Sequence, residues 1–63
     1  MTIRELRELV DGETFLWIET AEEECLEASE ADCLSHKYDD YTIGRMFVQY
    51  YPSIRIHGIT VQI

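Results

Sequence analysis

The chain has 63 residues, with 13 acidic and five basic side chains, a net charge of −8 and a hydrophobic content of 46%. This length predicts a single domain over residues 1–63, and the hydrophobic content is typical of a folded protein rather than a disordered tail. The charge repels DNA, RNA and anionic membranes, so it excludes them as direct partners and favours a basic protein surface. The N-terminal residues lack the apolar region of a signal peptide, and no segment is long enough to span a bilayer, so we expect a cytoplasmic protein.

The first predicted element is a short helix over Thr2–Val10. Thr2 is a favourable N-cap, and Glu5 completes a capping box three residues later. Apolar residues follow at helical spacing, and Gly12 stands where a left-handed residue would end the helix. The next segment, Glu13–Glu19, predicts a strand buried on both faces, because its apolar residues run without alternation.

The stretch Glu19–Asp32 holds seven carboxylates and no Lys or Arg. It falls within Thr20–Leu34, which predicts a second helix because its first residue and Glu23 match a capping box. Negative charge in the first turn also favours a helix. In this helix Glu23, Glu27 and Glu30 would occupy one face, opposite a sector of small apolar residues. An irregular acidic loop is the alternative.

The C-terminal part predicts two long strands. After the polar connection Ser35–Asp40, the segments Tyr41–Tyr51 and Ile54–Ile63 are rich in β-favouring residues, and the intervening Pro52 marks a turn. They form a predicted antiparallel hairpin. The resulting order, α-β-α-β-β, predicts an α+β fold with a three-stranded sheet and two short helices. A right-handed crossover through the second helix would make the first two strands parallel.

No set of residues indicates a reaction, so we expect no enzyme, no catalytic residue and no cofactor. Cys25, Cys33, His36 and His57 form the one candidate metal or redox set, and Cys33 with His36 has CxxH spacing. The remaining gaps match no zinc finger or ribbon, so we predict no metal site and read both cysteines as free, small packing residues. A Cys25–Cys33 disulfide conflicts with the helix, which would separate their Cα atoms by about 12 Å.

The acidic surface is the remaining candidate site. On a helix, Glu23, Glu27 and Glu30 would repeat about every 5–6 Å, close to the spacing of phosphates along a nucleic-acid strand. Such a row would block a groove lined with Lys and Arg. A solvated face without a partner is the alternative. The predicted partner-binding set includes the flanking acids and comprises Glu19, Glu23, Glu24, Glu27, Glu30, Asp32, Asp39 and Asp40.

In size and charge the whole chain resembles the small acidic anti-CRISPR and antirestriction proteins of bacteriophages and mobile elements. Those proteins disable host defence nucleases, and some resemble DNA in charge and shape. The resemblance implies an acidic inhibitor that blocks the nucleic-acid groove of a nuclease or effector complex. Composition carries it and no motif does, so it assigns no role to any residue.

A second hypothesis places the contact surface on the hairpin Tyr41–Ile63, as in an adaptor, antitoxin or immunity-type module. Tyr50, Tyr51 and Ile54 would then be the main contact residues. Alternatively, Ile63 would line an open sheet edge used for dimerisation. Both a monomer and a homodimer are compatible with these hypotheses.

Overall fold

The computed structural model describes all residues, 1–63, and contains one α-helix and one four-stranded sheet. The fold class α+β is confirmed, whereas the predicted three strands and two helices are wrong. No helix has both the length and the apolar character needed to cross a bilayer. The elements are α1 (Ile3–Leu9), β1 (Phe15–Glu19), β2 (Cys25–Glu30), a 3₁₀ turn (Ala31–Cys33), β3 (Arg45–Tyr51) and β4 (Ile56–Gln62).

Helix α1 begins at the predicted capping box. The Thr2 hydroxyl accepts a hydrogen bond from the Glu5 backbone N–H at 3.3 Å, and the Glu5 carboxylate accepts one from the Thr2 N–H at 2.9 Å. These hydrogen bonds lower the pKa of Glu5. The helix ends at Leu9 with Val10 as its C-cap, so Gly12 is not the terminating residue. Its buried residues, Ile3 and Leu6, pack on the sheet.

The predicted helix Thr20–Leu34 is wrong, because this segment forms a turn, strand β2 and the 3₁₀ turn. The Thr20 hydroxyl accepts from the Glu24 N–H at 3.2 Å, and the Thr20 carbonyl accepts from the Glu23 N–H at 2.9 Å. Glu23 has a φ of 68°, which a helix does not allow. Thr20 therefore closes a hairpin turn and does not cap a helix. Hydroxyl side chains favour both positions, so the sequence pattern fits either one.

The C-terminal antiparallel hairpin is confirmed, although its position in the sheet differs from expectation. The strand order is β2-β1-β4-β3, with β1 and β4 parallel in the centre and an antiparallel pair on each side. Strand β4 lies between β1 and β3, which correspond to the first two strands predicted from the sequence. The predicted parallel pairing of those two strands is therefore wrong. Strand β3 begins at Arg45 rather than Tyr41, and Thr42 forms only an isolated bridge with Thr2.

The core lies on one face of the two central strands. Helix α1 and the connection between β2 and β3 cover this face, which leaves β3 outside the cover. Burial of these apolar side chains is the main stabilising contribution available to so short a chain. The buried core residues are Ile3, Leu6, Leu16, Ile18, Ala31, Leu34 and Val61.

The opposite face carries an aromatic cluster rather than a covering element. Tyr51 reaches from β3 across β4, stacks on Trp17 with ring centroids 5.4 Å apart, and meets Phe15 edge-on at 5.2 Å. Gly58 permits this crossing, since a Cβ atom there would lie 3.0 Å from Tyr51 Cε2 and 2.7 Å from the Phe15 carbonyl oxygen. Phe15 and Trp17 are only half-buried, so β1 is fully buried on one face and not on both.

Candidate interaction surfaces

The eight predicted partner-binding acids do not form one ridge. Glu19 lies on β1 and is buried, with its carboxylate accepting a hydrogen bond from Gln62 Nε2 at 2.6 Å. Glu27 lies on β2, on the opposite face of the sheet from Glu19. Its cross-strand partner is Ile18, and the neighbouring residues Ile18 and Glu19 point to opposite faces. The helical row of Glu23, Glu27 and Glu30 is therefore wrong, since these residues occupy a turn and a strand.

Glu27 anchors the connection that follows the 3₁₀ turn. Its carboxylate accepts hydrogen bonds from the Ser35 backbone N–H at 2.8 Å and the Ser35 hydroxyl at 2.6 Å. Desolvation by burial opposes ionisation, but these hydrogen bonds and the positive charges of Arg7 and Lys37 outweigh it, so the pKa of Glu27 is lowered. The Glu27 carboxylate is thus engaged within the molecule.

Asp39 and Asp40 are engaged by cations from α1. Asp39 is buried, and its two oxygens lie 2.8 Å from Arg7 Nη2 and 2.7 Å from His36 Nδ1, while Asp40 lies 2.7 Å from Arg4 Nη2. Arg7 Nη2 donates its hydrogen bond to the Ser35 carbonyl, so its contact with Asp39 Oδ1 is an ion pair without hydrogen-bond geometry. Asp39 thus stabilises the fold and presents little free charge, whereas Asp40, whose side chain is 83% exposed, forms only a surface ion pair with Arg4.

His36 Nδ1 lies 2.7 Å from both Asp39 Oδ2 and Arg7 Nη1. A ring nitrogen that carries a proton donates to the carboxylate and cannot also accept from the guanidinium, so only one of these contacts is a hydrogen bond. The contact with Asp39 is an ion pair only when the imidazole is protonated.

The other four predicted acids remain exposed and form no ion pair. Glu23 and Glu24 lie at the tip of the β1–β2 hairpin, whereas Glu30 and Asp32 lie at its other end, roughly 17 Å away along a five-residue strand. Three further exposed acids, Asp11, Glu13 and Glu22, belong to the same surface and were not among the predicted residues. Asp11 and Glu13 precede the acid-rich stretch in the chain, and Glu22 was not expected on the helical face formed by Glu23, Glu27 and Glu30. We define the acidic edge as Asp11, Glu13, Glu22, Glu23, Glu24, Glu30 and Asp32.

Hydrogen bonds hold the two chain segments of the acidic edge together. The Asp32 N–H donates to the Gly12 carbonyl at 3.0 Å, and the Ala31 N–H donates to the Thr14 carbonyl at 2.8 Å. The Asp32 carboxylate lies over Gly12, where a Cβ atom would come within 2.3 Å of it. The acids of residues 11–13 and 30–32 therefore share one end of the hairpin.

The β3 side of the molecule has the opposite character. Strand β3 pairs with β4 on one side only, and Met46, Val48 and Tyr50 lie exposed on one face of it. Ile54, in the following turn, is also exposed. Residues 41–63 contain two arginines and no acid.

The residues predicted to form a contact surface on the C-terminal hairpin differ in their exposure. Tyr50 and Ile54 are exposed, whereas Tyr51 is buried and its hydroxyl is hydrogen-bonded to Thr60. Burial raises the pKa of Tyr51 despite that hydrogen bond. Ile63 follows β4 in the middle of the sheet and donates its N–H to the Glu19 carbonyl, so the expectation that it lines an open edge is wrong.

The cysteines and histidines do not assemble into a site. Both Cys25 and Cys33 are free and exposed, so they are not the buried packing residues that were expected. No group of three or more His, Cys, Asp or Glu side chains has the arrangement of a metal site. Partial desolvation and the Glu19 carboxylate raise the pKa of the Cys25 thiol, which keeps the reactive thiolate scarce at neutral pH. The surface holds no pocket.

Comparisons of this chain with protein-family models, with curated proteins and with solved structures found no match. The interaction surfaces are therefore assigned from charge, exposure and hydrogen bonding alone.

Proposed function

We propose that this chain is a non-catalytic, cytoplasmic protein-binding module whose acidic edge docks on a basic surface of a partner protein. The observation that supports this proposal is the concentration of seven exposed carboxylates, none in an ion pair, around one hairpin. Like charges held close together reduce stability, and a cationic partner would relieve that repulsion.

No cation of the chain forms an ion pair with the acidic edge. Arg4 and Arg7 pair with Asp39 and Asp40, and Arg45 lies over the Phe47 ring at 5.1 Å. The acidic edge thus keeps seven negative charges, which attract a positive surface. This attraction weakens as the ionic strength rises.

The specific form of this function is inhibition of a nuclease or effector complex through its nucleic-acid-binding groove. The sign of the charge supports it, because a groove built for a polyanion attracts an acidic edge. The exposed acids gather at two ends of a hairpin and form no row at phosphate spacing. The proposal therefore rests on charge and not on a copy of nucleic-acid geometry.

A matched pair of variants tests the acidic edge. Glu24→Gln/Glu30→Gln removes two charges from it, and Glu8→Gln/Asp40→Asn removes two exposed charges elsewhere. With a lysine-rich peptide as the probe in isothermal titration calorimetry, we expect the edge variant to bind about fivefold more weakly than the control. Raising the salt concentration should remove the difference. Equal weakening by both variants would refute a localised acidic site.

A competition experiment tests the inhibitory form. A labelled oligonucleotide is bound to a basic, sequence-nonspecific DNA-binding protein, and its release by this chain is followed by fluorescence anisotropy. We expect displacement by the wild type, weaker displacement by the Glu24→Gln/Glu30→Gln variant, and loss of displacement at high salt. Binding without displacement would restrict the function to basic partners outside nucleic-acid grooves.

An adaptor-type module acting through the β3–β4 hairpin is the second candidate, and the exposure of Tyr50 and Ile54 favours it. Apolar contacts are insensitive to salt, so such a partner should remain bound when ionic strength rises. Tyr50→Ala should abolish that binding, whereas the Glu24→Gln/Glu30→Gln variant should retain it.

A further inference from the structure

The two outer strands of the sheet differ in how they are protected against pairing with another strand. Strand β2 is interrupted by a change of register opposite Ile18 and Glu19, and it carries Glu27 and Glu30. Bulges and charges are the usual means by which edge strands avoid association. Strand β3 has seven residues in continuous register with β4, without proline, lysine or acid, and Arg45 is its only charge.

The exposed face of β3 is apolar along its whole length. Met46 is 45% exposed, Val48 73% and Tyr50 46%, and all three lie beyond the cover of α1. A strand of this composition at the edge of the sheet, with free backbone N–H and C=O groups along its outer side, is suited to pairing with a further strand.

The distribution of charge makes β3 the part of the molecule where a second copy can approach with the least repulsion. Two copies of a chain with a net charge of −8 repel each other, and the repulsion is smallest where their acids are farthest apart. Residues 41–63 contain no acid, and β3 lies at the opposite end of the sheet from β2. Contact through β3 thus places the acidic edges of two copies at maximal separation.

The sequence of β3 is also complementary to itself in antiparallel pairing. With a two-fold axis at Val48, the middle residue of the strand, Met46 faces Tyr50 of a second copy, and Phe47 faces Gln49. Each pair then joins residues on the same face of the sheet, where cross-strand contacts stabilise the pairing. No like charges oppose each other in this register.

We propose that two copies of this chain associate through β3 to form a continuous eight-stranded sheet with a two-fold axis at Val48. The inference extends the proposed function, because the dimer presents one acidic edge at each end of the sheet. It stands independently of that function, since it concerns the chain alone. One seven-residue strand per copy is a small contact, so we expect a weak, concentration-dependent dimer.

Sedimentation equilibrium of the chain alone tests the association. We expect the weight-average mass to rise from 7.4 kDa towards twice that value as the concentration increases. Higher salt should strengthen the dimer, because screening weakens the repulsion between copies. This response is opposite in sign to that expected for binding of a basic partner, so failures of the two proposals are distinguishable. A mass of 7.4 kDa at all concentrations and salt levels would overturn the dimer.

A matched substitution locates the interface. Val48→Lys places two like charges beside the two-fold axis, whereas Leu9→Lys adds the same charge at a residue of similar exposure, 71%, on α1. We expect Val48→Lys to raise the dissociation constant at least tenfold and Leu9→Lys to change it less than twofold. Circular dichroism checks that both variants fold. Equal effects of the two variants would refute an interface at β3.

Disulfide trapping tests the register. In a Cys25→Ser/Cys33→Ser background, Val48→Cys places two thiols opposite each other across the axis, within bridging distance. With oxidised glutathione as the oxidant, we expect Val48→Cys to form a covalent dimer at least tenfold faster than Leu9→Cys in the same background. Equal rates, or trapping only in a complex with another protein, would overturn the proposed dimer.

Discussion

The two hairpins of the sheet have the same architecture and opposite chemistry. Each is a pair of antiparallel strands, and the two meet along the parallel contact between β1 and β4. The β1–β2 hairpin with its flanks, residues 11–32, carries nine acids and no base, whereas residues 41–63 carry two bases and no acid. The net charge of −8 therefore comes from one half of the molecule.

A second difference separates the acids that stabilise the fold from the acids that repel one another. Asp39 and Glu27 are bonded to Arg7 and Ser35, so their negative charge is compensated. The acids of the acidic edge have no such partners and repel one another. Stability should therefore fall when a compensated acid is removed and rise when an uncompensated one is removed.

The largest expected effect comes from Asp39. Asp39→Asn keeps the side-chain shape but leaves the Arg7 guanidinium, which is 15% exposed, without its ion-pair partner. Removing one member of a buried ion pair should lower the free energy of unfolding by about 3 kcal/mol. Urea denaturation measures it, with Asp40→Asn as the control at an exposed pair, where we expect a loss below about 1 kcal/mol. Similar losses for both variants would show that burial of the pair is unimportant.

The contact between the two hairpins is tested at Gly58. Gly58→Ala places a methyl group 2.7 Å from the Phe15 carbonyl oxygen, so β1, β4 or the Tyr51 ring must shift. We expect a loss of about 2 kcal/mol in the free energy of unfolding. Gly44→Ala is the control, because its Cβ would meet only the Gln62 carbonyl oxygen at 3.4 Å. An equally stable Gly58→Ala variant would mean that the hairpins are not tightly packed there.

A smaller and pH-dependent effect is expected at Ser35. Ser35→Ala removes the hydroxyl that donates to Glu27, which should cost about 1 kcal/mol at neutral pH. The pKa of Glu27 is lowered in the folded state, so its ionised form contributes stability above the ordinary glutamate pKa, and this contribution is lost as the pH falls through the lowered value. The wild type and Ser35→Ala should thus converge in acid. A difference that is constant with pH would contradict this role for Glu27.

The smallest effect is expected at the acidic edge itself. Glu24→Gln/Glu30→Gln should raise the free energy of unfolding by a few tenths of a kcal/mol at low salt, because each substitution removes a charge that repels the acids at its own end of the hairpin. The gain should disappear when salt reduces the Debye length well below about 8 Å. Thermal denaturation at two ionic strengths measures it. A destabilised variant would show that these carboxylates make compensating contacts.

Local sequence signals predicted the parts of the fold that depend on neighbouring residues. The Thr2–Glu5 capping box is local, and so is the hairpin around Pro52, since each is set by a few adjacent side chains. The α+β class follows from them. The order of the strands depends on contacts between residues about 40 positions apart, such as Leu16 with Ile59, and no local pattern encodes those.

Strand β2 was missed because its local preference favours a helix. Its residues, Cys25–Glu30, include good helix formers, and the preference amounts to a few tenths of a kcal/mol per residue. Pairing with the apolar strand β1 outweighs that preference. Four of the eight predicted acids, Glu23, Glu24, Glu30 and Asp32, are both exposed and free of ion pairs, and charge alone favours such exposure. The other four acids form ion pairs or hydrogen bonds within the molecule. Such contacts depend on the fold, so the sequence alone did not predict them.

The stacking of Trp17 on Tyr51 provides a built-in optical probe. Trp17 is the only tryptophan, and its neighbour belongs to the other hairpin, 34 positions along the chain. Its fluorescence therefore reports the joining of the two halves and not the formation of either hairpin alone. Because closing long segments of chain is slow, we expect this signal to change in the last kinetic phase of refolding, after the hairpins have formed.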